Sequence, residues 1–234
     1  MNRTRIFAHR GAQREAMENT AAAFDKALAH PVDGIETDIQ LSRDGTAVLW
    51  HDDDLGKLGL PGKRIEDFDE AALRDFGIMP LRDFVAAYRS RCDLLLEVKR
   101  HPGESRDRQR TKVRRTLELA GAPEEDRVLV SSFDLESLVH ARGLAPRQPL
   151  VLNLEPGQRA DFARRALSEN PFLRGLCVHV STLDAPMRDA VREGNGLLAV
   201  YTCNTEKEIR RALDLGVDAL ITDVPQKALS MRDG

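Results

Sequence analysis

Short apolar runs recur along the chain at near-regular intervals, each rich in the aliphatic and β-branched residues that suit a buried strand. They occupy Arg5–His9, Gly34–Ile39, Leu94–Lys99, Arg127–Ser132, Leu150–Leu154, Leu176–Val180, Leu197–Thr202 and Ala219–Thr222. Between most of them, apolar positions fall at helical spacing. Phe24, Ala27 and Leu28 stand at i, i+3 and i+4 behind Asn19-Thr20, a good N-cap pair. Ile209, Ala212 and Leu213 repeat that spacing behind Thr205, and Gly216 follows where such a helix stops. Further helices are expected near Asp107–Leu119, Leu135–Arg142, Arg159–Leu167 and Ala185–Arg192.

Eight strands alternating with helices predict parallel β/α units. A doubly wound open sheet alternates in the same way, but it is expected to begin with a glycine-rich phosphate loop. The first strand here runs instead into Ala8-His9-Arg10-Gly11-Ala12. The strand count and the 234 residues favour a closed (β/α)8 TIM barrel, slightly short of the typical ~250 residues, as a single domain over residues 1–234. One connection departs from the pattern. After the second strand, Arg43-Asp44-Gly45-Thr46 makes a turn, and Ala47–Trp50 is another short extended run ending at His51-Asp52. Asp53 to Met79 is rich in Gly, Lys and Asp, with one short helix around Glu70–Asp75, and reads as an elaborated loop at the barrel mouth.

Two of the apolar runs carry acids. Side chains alternate faces along a strand, so Glu36 and Asp38 share one side while Ile35, Thr37 and Ile39 share the other. By the same count Glu97 and Lys99 lie opposite Leu96 and Val98. A carboxylate on an interior strand face is costly without a partner, and three facing one space imply a bound divalent cation. An interior salt-bridge network with Arg10 and Lys99 is the metal-free alternative, although such networks add little net stability.

Composition narrows the class. Apolar residues make up 41% and charged residues 31%, with a net charge of −3, a globular composition with ample core. Basic residues are dispersed, and the basic stretch Arg106–Arg115 reads as a solvated helix face, so nucleic acid is not an expected partner. Cys92, Cys177 and Cys203 are odd in number and lack CxxC spacing, which fits a reducing compartment better than disulfides or zinc. The N-terminal segment has no apolar h-region, and no run approaches the roughly 20 residues of a membrane span. A cytoplasmic location without stable membrane insertion is expected.

Active sites of these barrels lie at the C-terminal strand ends. There the sequence places His9-Arg10, Glu36 and Asp38, His51, Glu97 and Lys99, Ser131-Ser132, Tyr201–Asn204 and Thr222-Asp223. Carboxylates without cysteine or clustered histidine suit a hard cation, Mg²⁺ or Ca²⁺. Arg10 and Lys99 point to a phosphate-bearing small molecule. Two histidines suit an acid–base pair for in-line displacement at phosphorus. Ser131 and Ser132 lack a nucleophile elbow and read as packing or hydrogen-bonding residues. Asn19 reads as a cap, Glu18 as a partner for Arg10, and Asn153, Glu155 and Asp223 as supporting groups. His30, His101, His140 and His179 read as structural.

His9-Arg10-Gly11, Glu18-Asn19-Thr20, Glu36-x-Asp38, Asp44-Gly45, His51-Asp52 and Glu97-x-Lys99 stand in an order that resembles the glycerophosphodiester phosphodiesterase family. Val200–Asn204 and Gly216–Asp223, followed by Pro225, resemble that family's closing strands, so the similarity spans nearly the whole chain. The resemblance implies a (β/α)8 barrel, with Glu36, Asp38 and Glu97 binding the metal and His9 and His51 as the acid–base pair. It further implies that Arg10 and Lys99 hold the phosphate and that Tyr201 faces the substrate. The expected reaction releases glycerol 3-phosphate and an alcohol such as choline or ethanolamine, with water or the neighbouring glycerol hydroxyl as nucleophile. There are departures. Met17 replaces the family's usual proline, Tyr201 stands where Trp is common, and Gly56-Lys57-Leu58-Gly59 replaces an Arg-Thr-Thr-type motif. A phosphodiesterase or lyase acting on lysophospholipids, with a wider mouth, is the alternative enzyme. A non-catalytic phosphate-binding barrel is the alternative of another class.

Overall fold

The computed structural model describes residues 3–121 and 127–234. Met1 and Asn2, which open the segment expected to carry no leader, lie outside them. The first part of the chain forms β1 (Arg5–His9), α1 (Ala21–Leu28), β2 (Gly34–Leu41), β3 (Ala47–Leu49), α2 (Glu70–Asp75) and α3 (Leu81–Tyr88). Next come β4 (Asp93–Val98), α4 (Arg106–Ala120), β5 (Val128–Ser132), α5 (Leu135–Leu144), β6 (Leu150–Asn153) and α6 (Ala160–Glu169). The chain ends with β7 (Gly175–His179), α7 (Ala185–Glu193), β8 (Leu197–Tyr201), α8 (Glu206–Asp214), β9 (Ala219–Thr222) and α9 (Pro225–Asp233).

Strands β1, β2 and β4 to β9 pair in parallel, and the β1–β2 and β1–β9 pairings close them into a ring with helices outside. This is the (β/α)8 barrel expected from the alternation. Strand β3 is no part of the ring. It folds back antiparallel on the far end of β2, pairing Leu41 with Ala47 and Ile39 with Leu49. Helix starts follow the capping residues: Thr20 accepts from the Ala23 amide, and Thr205 with Glu208 forms a reciprocal capping box. Gly216, at φ +65°, stands just beyond the end of α8. Helices α3 and α9 are additions to the expected set. Leu81, Phe84 and Tyr88 bury one face of α3, and Pro225 opens α9 at a position that needs no amide hydrogen bond.

Strand alternation builds the interior in layers. Phe7, Leu95, Leu129, Val151, Cys177, Ala199 and Ile221 pack together inside the barrel. Two residues further along the same strands, on the same face, come His9, Glu97, Ser131, Asn153, His179, Tyr201 and Asp223. Apolar side chains therefore plug the barrel, and a polar layer sits directly above them at the C-terminal mouth. Gly34 is needed for that plug, because a Cβ there would lie 2.3 Å from the Phe7 ring. The segment after β3 is more than a loop. Val48, Trp50, Leu55, Ile65, Leu73 and Ile78 form a separate apolar cluster beneath it, with single 3-10 turns at Gly56–Leu58 and Ile65–Asp67.

Candidate active site

Register brings the predicted acids together. Parallel pairing sets His9 beside Glu36 and Asp38 beside Glu97, so residues distant in the chain become neighbours at the mouth of the barrel. Carboxylate oxygens of Glu36, Asp38 and Glu97 all lie within 4.8 Å of one another. Glu36 and Asp38 are buried, and Glu97 is nearly so. Arg10 Nε approaches Asp38 Oδ2 at 3.0 Å, while Lys99 Nζ stands 2.7 Å from Glu97 Oε1 and 3.5 Å from Asp38 Oδ1. Lys99 is thus an ion-pair partner of two of the acids.

The two strand-two acids are driven apart in acidity. Burial pushes the Glu36 carboxyl well above the usual carboxylate range, and the neighbouring Asp38 and Glu97 push it further. Burial also raises Asp38, but Lys99, Arg10 and the two histidines outweigh it and hold that carboxyl below its usual range. Arg10 and Lys99 both stay charged, since their carboxylate partners more than offset burial. When all three are ionised, the carboxylates outnumber the two cations beside them by one negative charge. Glu97 Oε1 is buried and takes its positive partner from the Lys99 ammonium, at 2.7 Å. An all-oxygen set with surplus negative charge fits a hard divalent cation.

The backbone shapes the rim. Arg10 and Asn19 both have left-handed backbones, at φ 56° and 57°. The Arg10 amide donates to Glu36 Oε2 at 3.2 Å, and the Asn19 amide donates to the Arg10 carbonyl at 3.1 Å, so these contacts hold the strained residues in place. Gly11, at φ +83°, follows them, and a Cβ there would sit 2.7 Å from the backbone of α1. Asn19 is not the helix cap. Thr20 has that role, and Asn19 donates from Nδ2 to Asp38 Oδ2 at 3.0 Å while accepting from the Thr37 hydroxyl at 2.7 Å. Glu18 does bind Arg10, at 3.2 Å.

Each histidine is oriented by a carboxylate. His9 Nδ1 donates to Asp223 Oδ1 at 2.6 Å, and Gln13 Nε2 donates to the same oxygen at 2.6 Å. Asn204 fixes Asp223 from behind, donating to Oδ2 at 2.7 Å and accepting from its amide at 2.9 Å. Burial raises the Asp223 carboxyl, yet the His9 hydrogen bond brings it below its ordinary value. His9 Nε2 then faces inward, 3.8 Å from Glu36 Oε2. His51 Nδ1 donates to Asp52 Oδ1 at 2.7 Å. The turn bearing it hangs from Gln40, whose Nε2 lies within hydrogen-bond reach of the carbonyls of Trp50, His51 and Asp52 at 3.2, 3.4 and 2.8 Å. Gln40 continues the inward alternation of Glu36 and Asp38, a signal present in the sequence but not singled out there.

The remaining groups support this arrangement. Asn153 Nδ2 donates to Glu97 Oε2 at 3.1 Å. Lys112, 1% exposed, donates to the Lys99 carbonyl at 2.7 Å and to Glu104 at 2.8 Å, and burial pushes its amine down to about 8. His101 is buried and bonded to Asp53, as a structural histidine should be. The Tyr201 hydroxyl donates to the Leu154 carbonyl at 2.7 Å, and its ring stands edge-on between Phe133 and His179. Ser132 Oγ donates to the Val98 carbonyl at 2.8 Å, a hydrogen-bonding role like the one expected of it.

Residues 9–227 match the glycerophosphoryl diester phosphodiesterase family. The chain is 31% identical to a glycerophosphodiester phosphodiesterase of Bacillus altitudinis, across 98% of both chains. Among solved structures, it resembles an Oleispira antarctica phosphodiesterase in complex with the product sn-glycerol-3-phosphate, at TM-score 0.83 and 25% identity, over 99% of this chain and 98% of the other. A Thermotoga maritima glycerophosphodiester phosphodiesterase shares the fold at TM-score 0.81 and 22% identity, over 99% of each chain. The chain therefore belongs to the glycerophosphoryl diester phosphodiesterase family and is a phosphoric diester hydrolase.

Proposed function

We propose that this protein is a divalent-metal-dependent hydrolase of small glycerophosphodiesters, releasing glycerol 3-phosphate and an alcohol. The observation that carries the reading is the placement of three inward carboxylates at one mouth between two carboxylate-oriented histidines. Glu36, Asp38 and Glu97 would hold the cation, Mg²⁺ or Ca²⁺. When bound, it would supply two positive charges, so that the centre with its three carboxylates ionised carries one net positive charge, the complement of a singly charged phosphodiester. Arg10 and Lys99 keep the charged forms that bind phosphoryl oxygens, and Tyr201 lines the substrate side.

Asp223 and Asp52 accept hydrogen bonds from Nδ1–H of His9 and His51, which leaves Nε2 of each ring as the nitrogen for proton transfer. One removes a proton from the attacking hydroxyl, either of water or of the neighbouring glycerol position, in which case the cyclic phosphate formed is then opened by water to glycerol 3-phosphate. The other returns a proton to the leaving oxygen, and the two exchange protons with solvent between turnovers. The match over residues 9–227 supports one catalytic domain over residues 1–234. The product in the Oleispira antarctica structure supports glycerol 3-phosphate as the species released.

Purified protein should release glycerol 3-phosphate from glycerophosphocholine, and His9→Ala and His51→Ala should each lower kcat by roughly 10²–10⁴-fold. Wild-type rates in either variant would remove that histidine from the mechanism. Activity confined to lysophospholipids would replace the substrate assignment.

A further inference from the structure

The turn Gly56–Leu58, in the segment where the chain departs from the family motif, has no part in the mechanism above. It is nevertheless built to fix one side chain. Leu55 is fully buried beneath it, and Asp54 ties it down by accepting from the Gly56 and Gly62 amides at 2.9 and 2.7 Å. Trp50 Nε1 donates to the Asp54 carbonyl at 2.9 Å, joining the turn to the His51 strand extension. From this base the Lys57 ammonium reaches Glu18 Oε1 at 2.7 Å and Asp52 Oδ2 at 2.9 Å. The same two carboxylates use their other oxygens on Arg10 and on His51 Nδ1. A continuous line of charged contacts therefore runs from Asp38 through Arg10, Glu18, Lys57 and Asp52 to His51.

We propose that Lys57 is a positioning residue, whose ammonium clamps Asp52, and through it the His51 imidazole, to the Glu18–Arg10 arm bordering the carboxylate centre. This rests on His51 being one of the acid–base pair. Asp52 is 32% exposed, so without a cation on Oδ2 its carboxylate can swing to water and release the His51 ring. Glu18, 11% exposed, also needs the second cation, because Arg10 engages only one of its oxygens. The lysine spans this gap from the turn, and arginine at the same position would carry the same charge to both acids. Lys57 touches none of Glu36, Asp38 or Glu97, so the effect falls on the histidine and spares the metal site.

The test is steady-state kinetics on glycerophosphocholine for Lys57→Met, Lys57→Arg, Asp52→Asn and the double variant Lys57→Met/Asp52→Asn, with Mg²⁺ affinity measured by calorimetry. Lys57→Met should lower kcat roughly 10-fold or more, with KM and Mg²⁺ affinity within about twofold, and Lys57→Arg should recover most of the rate. The double variant should be no slower than the slower single one, since both act through one contact. Wild-type kcat in Lys57→Met, or fully additive losses in the double variant, would overturn the proposal. Nitrogen-15 spectra of His51 decide independently of turnover: Lys57→Met should mix the ring tautomers, and an unchanged Nδ1–H form would also overturn it. An inactive wild type would sink the functional reading, while the His51 spectra would still decide the clamp.

Discussion

Glu36 and Asp38 are separated by one residue and one strand pleat, yet their carboxyls are displaced in opposite directions. The difference lies in what each faces: Asp38 meets both Arg10 and Lys99, whereas Glu36 meets the other two acids at the foot of the site. The acids were legible because a carboxylate in an apolar strand demands a partner, and alternation alone assigned their common face. Asp223 is a different case. It was readable as a supporting group, but its partner is His9, a contact across 214 residues, and an acid at a strand end does not say which side chain it supports. Asn19 misled for a related reason, since a polar residue ahead of a helix suits both a cap and a buried bridge. Asp223→Asn keeps the shape but removes the charge that His9 Nδ1–H donates to. It should lower kcat roughly 10²-fold with little change in KM, measured by initial rates at saturating substrate. An unchanged kcat would show that His9 needs no anionic partner.

At the scale of elements, the eight strands and most helices were readable from period and caps, and observed boundaries differ from expected ones by a residue or two. The register was not readable, and it is register that puts Asp38 beside Glu97 and His9 beside Glu36. Helix α3 escaped although Leu81, Phe84 and Tyr88 carry helical spacing, because it directly follows the polar stretch after β3. That stretch hid its own core, since its apolar residues are scattered at no single period. Its far end is tied by Glu70, which binds Arg74 and Arg82 and whose carboxyl these hydrogen bonds bring from 4.5 down to about 2. Its native pKa is depressed, so the stabilisation is complete above pH 4.5 and is lost as pH falls toward 2. Both arginines are more than a third exposed, which limits the effect to about 1 kcal/mol. Urea midpoints of wild type and Glu70→Gln should therefore converge between pH 5 and about 3. A gap that stays constant over that interval would contradict the assignment.

For the whole molecule, closing the barrel converts a two-residue alternation into a layered interior, with an apolar plug below and a ring of polar groups above. The candidate site therefore lies at the C-terminal mouth. Among the described residues no helix is long and apolar enough to cross a membrane. The folded segment after β3 brings its own lysine to Glu18 and Asp52 through a compact turn. Barrel, acids and histidines could be expected from the chain alone. The contacts that aim the histidines could not, because they join segments that only the closed barrel brings together. The central claim is that three buried carboxylates serve catalysis by holding a divalent cation, and its most direct test is glycerol 3-phosphate release from glycerophosphocholine by chelator-stripped protein, before and after adding back Mg²⁺ or Ca²⁺. The predicted result is negligible turnover in the stripped protein, restored by one of the two ions in wild type but not in Glu97→Gln. Full turnover in excess chelator, or equal restoration of Glu97→Gln, would contradict it.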